Sequence, residues 1–311
     1  MRKHLFFVIF ALILFVIGCG PNVDDMVRKL ENPVPEIREQ AIKDLVEIGE
    51  PAIPKLIPLL GSTSADTRNA AADVLIEIGE PVVPYLLKAI DDPNTDSLTG
   101  GQAAIVIGEL GEKIKPQAED VLIKHLNDSR FGVRVNCISA VGNIKSEKAL
   151  PELKKILEEE FEEESPEWSV ITVVVKSTGQ IGKNDANEIL FKYLTSEKTP
   201  KDTKNDILTY IEGISTNQMR DDLIKYTRSV DWGSLDGLAQ MAVITKTLGS
   251  MPKSDALVKL LLDIQKYYGF DDAFYPKVIY SLNEIGPEDE DIQKMIDKLE
   301  AEREKREKGN K

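Results

Sequence analysis

The chain predicts an all-α solenoid of about eight stacked helix pairs, and three observations predict it. Glu36–Pro54 can be laid over Asp66–Pro84, matching Arg38 to Arg68, Gly49 to Gly79, Pro51 to Pro81 and Pro54 to Pro84 at one spacing of 30 residues. A fixed period in the range of ~20–50 residues marks a repeat architecture. Within each copy the apolar residues fall at helical spacing: Ala41, Ile42, Leu45, Val46 and Ile48, then Ala71, Ala72, Val74, Leu75 and Ile78. Each run ends in Gly-Glu-Pro, with a glycine where a left-handed residue stops one helix and a proline suited to the first turn of the next.

The N-terminus reads differently. Arg2 and Lys3 precede an unbroken apolar run from Leu5 to Ile17. That run is shorter than the ~20 residues a spanning helix needs, and it suits the core of a signal peptide. It closes in Val16-Ile17-Gly18-Cys19, which resembles the bacterial lipobox. The resemblance implies a signal peptide at 1–18, cleavage after Gly18, acylation of Cys19 (palmitate or a similar chain) and a lipidated tether at 19–23. An extracytoplasmic protein held on the cell membrane or the outer membrane is expected. Gly20 is not the aspartate that retains enteric lipoproteins at the inner membrane. Gly20–Val23 reach ~14 Å at most, and Asp24–Glu31 forms a lone capping half-repeat.

The solenoid is expected over 24–300, with units losing regularity along the chain. The third unit runs from Ala103 through Gly111 to Leu126. The fourth has Asp128–Ile144 ending at Lys145 without glycine, then Leu150–Leu157. The fifth has Val170–Ile181, Gly182 and Ile189–Leu194; the last three occupy Lys204–Tyr226, Leu238–Tyr268 and Val278–Leu299, with breaks at Ser215, Gly249 and Gly286. The acidic stretch 158–167 reads as a lengthened loop, and 301–311 as a charged tail, the fraying end of a helix. The Ile37-Arg38, Asp66-x-Arg68 and Val133-Arg134 starts, the Ile-Gly-Glu-Pro turns and Leu86–Ile90 resemble HEAT repeats of the short variety found in phycobilisome lyases. The resemblance implies a right-handed α-α superhelical solenoid of HEAT/armadillo type and leaves function open.

Chemistry is sparse. Lys and Arg total 39 against 53 Asp and Glu, a formal charge of −14, which argues against nucleic acid. Two cysteines and two histidines support neither a disulfide framework nor a Cys/His metal site, and no cofactor is expected. Asp92–Asp96 begins like a calcium loop, yet Ser97 replaces its glycine and Ala103 its closing acid; an Asp/Asn-rich turn fits better. His125 sits at a packing position, and Cys137 reads as a small buried hydrophobe. Iron hydroxylases of the HEAT family carry His-Glu pairs, absent from this sequence. Arg38, Arg68 and Arg134 read as a ladder pairing with loop acids such as Asp66 and Asp128.

One recurrence points to a partner. Aligned second helices place Lys88, Lys124, Lys155, Lys192 and Lys225 at one position in five consecutive units, followed by Ala89, His125, Ile156, Tyr193 and Tyr226. Stacking would turn the lysines into a basic stripe on the concave side, with Tyr193 and Tyr226 beside it, able to guide an acidic partner. Lysine as an ordinary solvent-facing helix former explains the same pattern. The expected function is a membrane-anchored scaffold that binds an unidentified protein without catalysis. The alternatives are a lyase-like enzyme and a module binding an envelope polymer through Trp168, Trp232, Tyr267 and Tyr268.

Overall fold

A computed structural model describes residues 22–182, 184–211 and 216–309. Cys19 and residues 1–18, expected to be a signal peptide, lie outside the described residues, as does Ser215. The described chain is all-helical, with seventeen α-helices and no strand, arranged as the expected α-α solenoid of helix pairs. No described helix is long and apolar enough to cross a membrane. The chain divides into two compact units, one up to Ala140 and one from Val141.

The first unit holds α1 (Val23–Lys29), α2 (Pro35–Ile48), α3 (Ile53–Leu56), α4 (Ala65–Ile78), α5 (Val83–Asp91), α6 (Ser97–Leu110), α7 (Lys115–Lys124) and most of α8 (Phe131–Asn143). Its first helices α2, α4 and α6 lie side by side; α1 with α3, and α5 with α7, form a second layer. Leu45, Leu75 and Ile107 of the first layer and Leu56, Leu86 and Leu122 of the second are all fully buried. The predicted turns are as expected: Gly49, Gly79 and Gly111 take φ of 70°, 80° and 75°. Pro54 sits in the first turn of α3, but Pro58 breaks this second helix of the first pair, which continues as a 3-10 turn over Ile57–Gly61.

The second unit continues with α9 (Leu150–Glu162), α10 (Trp168–Ile181), α11 (Asn184–Leu194), α12 (Lys201–Tyr210), α13 (Asn217–Ser229), α14 (Leu235–Gly249), α15 (Asp255–Tyr268), α16 (Tyr275–Ile285) and α17 (Glu290–Gly309). Helices α10, α12, α14 and α16 form one layer. In the other, α9 packs on α11 and α13 on α15, whereas α11 and α13 make little backbone contact.

The end of the acidic run and the backbone at Gly249 differ from expectation, while the break at Lys145 and the helical tail agree with it. The acidic run is helical as far as Glu162, because Phe161 is buried and stacks on Tyr193 at 4.4 Å between ring centroids. Lys145 closes α8 in the glycine role, with φ of 51°. Gly249 is the last residue of α14 and has no positive φ. The C-terminal tail stays helical to Gly309, laced by Arg303–Glu307 and Lys308–Glu304 pairs one turn apart.

Candidate functional site

The five lysines are all exposed, one on each of the second helices α5, α7, α9, α11 and α13. They do not form a bare positive line. Lys124 Nζ lies 2.5 Å from Asp91 Oδ1, and Lys192 Nζ lies 3.0 Å from Glu158 Oε1. Both acids sit three residues after the lysine of the preceding pair, Lys88 and Lys155 respectively. One rule therefore governs both rungs: a lysine reaches back to the position one turn beyond the previous lysine. Lys155 is also matched, by Glu152 at 3.5 Å and Glu159 at 3.7 Å on its own helix. Asp91 is held below the usual carboxylate range by Lys124 and then His125, and Glu158 by Lys192.

At Lys155, which is paired on its own helix, that position holds Asn127, and at Lys225 the rule meets Thr195 instead of an acid. Thr195 spends its hydroxyl on its own helix, donating to the carbonyls of Phe191 and Lys192. The following rung is restored with its charges exchanged: Arg228, three residues after Lys225, lies 3.6 Å from Asp263 of α15. The break coincides with the gap between α11 and α13, a groove of about 560 Å³. Phe191, Met219 and Tyr226 line its floor, with Glu188, Lys192, Asp222 and Lys225 along its rim. Phe191 and Met219 are nearly fully buried, so their exposed edges belong to this opening.

The two tyrosines part company. Tyr226 lines the groove and donates to Gln240 Oε1 at 3.1 Å. Tyr193 is buried at 4% exposure, under Phe161 and beside Lys192, so its ring is packing rather than contact surface. Burial, then Glu158 and Glu162, push its phenol up to about 12.

Other residues singled out in the sequence resolve as follows. His125 is buried, as a packing position requires, but its environment is polar: Nδ1 lies 2.6 Å from Asp128 Oδ2 and Nε2 lies 3.0 Å from Asp91 Oδ1. Arg38 pairs with Asp66 at 3.3 Å, and Arg38 and Arg68 each donate to the carbonyl six residues back, of Asn32 and Ser62. Asp128 is gripped by Arg130, whose guanidinium also reaches the carbonyls of Ile90, Asp92 and Thr95 and which no repeat of the sequence marks. Asp92 and Asp96 serve as turn and helix caps for Asn94, Leu98 and Thr99. Cys137 is fully buried, and that burial raises its thiol to about 12. Trp168 packs edge-on against Phe161, and Tyr268 stacks on Phe274, while Tyr267 stands 57% exposed at right angles to Trp232.

Two layers of paired helices with glycine-closed turns define an α-α repeat solenoid. The profile of HEAT repeats matches residues 23–101 and 95–164, and helix pairing continues through the rest of the described fold. YibA of Escherichia coli is similar in structure, with a TM-score of 0.52 and 17% identity over 86% of this chain and 98% of that one. Human deoxyhypusine hydroxylase gives 0.33 and 15% over 86% and 96%. The CpcE–CpcF complex of phycocyanin lyase from Nostoc gives 0.38 and 18% over 78% and 94%. At these identities the likeness concerns the fold alone. No curated protein sequence matches the chain.

Proposed function

We propose that this HEAT-repeat protein is a membrane-anchored, extracytoplasmic scaffold, held by an acyl chain on Cys19, that docks another protein on its second-helix layer and performs no catalysis. The observation that carries the reading is the groove between α11 and α13, where an apolar floor opens to solvent beneath a charged rim. Floors of this kind beside polar rims mark protein contact surfaces. The groups with catalytic potential are otherwise engaged: both nitrogens of His125 face carboxylates, and the Cys137 thiol is buried.

Mild crosslinking and copurification, wild type against Cys19→Ala, tests the reading. A discrete protein joined to α11 or α13 of the membrane-held chain, and lost or displaced in the variant, is the expected result. Recovery of no protein would overturn it. A second reading, binding of an envelope polymer, is favoured by the exposed Tyr267 set edge-on to Trp232. Retention of the purified chain on isolated envelope polymer, lost in Tyr267→Ala, would favour that one instead.

A further inference from the structure

The broken rung has a consequence for what the groove accepts. Two lysines of the row, Lys124 and Lys192, are neutralised by the acid one turn beyond the preceding lysine, Asp91 and Glu158. Thr195 occupies the corresponding register position for Lys225, and both residues line the groove. Lys192 is spent on Glu158, so Lys225 is the unspent cation among the groove's lining residues. Thr195 is both too short and uncharged to fill the role, and it leaves room for a carboxylate supplied from outside. Next to that position lie Tyr226 and the exposed edges of Phe191 and Met219, an apolar contact surface.

The rim also sets a direction. Glu188 and Asp222 precede Lys192 and Lys225 by about one helical turn on the same two helices, or ~5 Å along the axes. An acid placed at that end meets two carboxylates; one placed over Lys225 meets an ammonium. We infer that the α11/α13 groove receives a protein segment carrying an acidic side chain next to a large apolar one, the acid completing the rung at Lys225 and Thr195 and the apolar residue covering Phe191 and Met219. This deepens the scaffold reading above, and it rests on that reading only for the statement that the occupant is a protein.

Charge reversal and rung repair provide the test. A random peptide library is selected on the purified wild-type chain, and the selected peptides are then measured against Thr195→Glu and Lys225→Glu. Thr195→Glu supplies the missing acid from the chain itself. It is expected to leave the melting temperature unchanged or raised, while weakening the peptides on the order of 10-fold by occupying Lys225. On Lys225→Glu, versions of the same peptides with Lys in place of the acid are expected to bind better than the originals. A selected consensus without an acid overturns the inference, as does equal binding to Thr195→Glu, or a selection that yields no binder. Peptides that bind equally well to both variants, alongside a protein crosslinked elsewhere on the chain, would sink the groove assignment and leave the scaffold standing.

Discussion

The smallest-scale result is the arrangement around His125. A neutral imidazole carries one N–H and can donate to one neighbour; the imidazolium donates to two. Here Asp128 and Asp91 occupy both sides of the ring, joining the end of α5 to the turn after α7. Replacing the ring by an amide in His125→Gln keeps at best one of these contacts and is expected to cost about 1–2 kcal/mol in urea unfolding. The neighbouring Asp128 gives the pH dependence. Arg130, and then the backbone N–H of that same residue and His125, hold its carboxyl below the usual range against the opposing effect of burial. A carboxylate depressed in the folded state contributes stability that is complete above its unfolded value, near pH 4, and is lost as the pH falls through the folded value. Thermal melts should therefore decline below about pH 4. Asp128→Asn should lose about 2 kcal/mol at neutral pH and show a shallower acid decline. An unchanged acid limb in that variant would show that Asp128 is not what titrates. Cys137 adds a control: with its thiol raised to about 12, it should resist disulfide reagents in the native protein and react once the chain unfolds.

At the level of helices, two kinds of glycine do different work. Gly79 has φ of 80° and open space where a side chain would be, so Gly79→Ala pays only for the left-handed backbone, about 1–2 kcal/mol. Gly142 has ordinary helical geometry, but a Cβ there would fall 2.6 Å from Ser177 Cα, a backbone atom that cannot turn aside. Gly142→Ala must therefore push α8 and α10 apart within the second unit, and a loss of about 1–3 kcal/mol is expected. Equal melting points for wild type and Gly142→Ala would refute that close approach. The first kind of glycine was legible in the sequence because Gly-Glu-Pro repeats; the second was not, since only packing reveals which neighbour it meets. The same division holds elsewhere. Helix pairs, turn glycines and the lysine row follow from local periodicity. The extension of α9 to Glu162 does not, because a glutamate run looks like loop until Phe161 is seen stacked on Tyr193. Asp91, Glu158 and Thr195 were each in plain view three residues after a lysine. Their meaning required knowing that a lysine reaches back to the preceding pair, a contact across 33 or 34 residues of sequence.

For the molecule as a whole, the charge balance decides how it can meet a membrane. A chain of −14, or −16 if residues 1–18 with Arg2 and Lys3 are removed, gains nothing from anionic lipid, which attracts basic segments. No described helix can span a bilayer. If the lipobox resemblance holds, attachment rests on acyl chains at Cys19, whose burial in lipid is a hydrophobic effect worth ~0.8 kcal/mol per methylene and is indifferent to screening. Electrostatic adhesion would behave oppositely, since at ~1 M salt the screening length shrinks to about 3 Å. Fractionated cells should therefore retain the protein on membranes through a high-salt wash and release it into detergent. Cys19→Ala should lack incorporated fatty acid and should not carry the mature N-terminus that begins at residue 19. Release by salt alone, or a wild-type chain recovered from the cytosol with residues 1–18 still attached, would rule out the anchor. The α11/α13 groove and its broken rung would then have to be explained for a protein in another compartment.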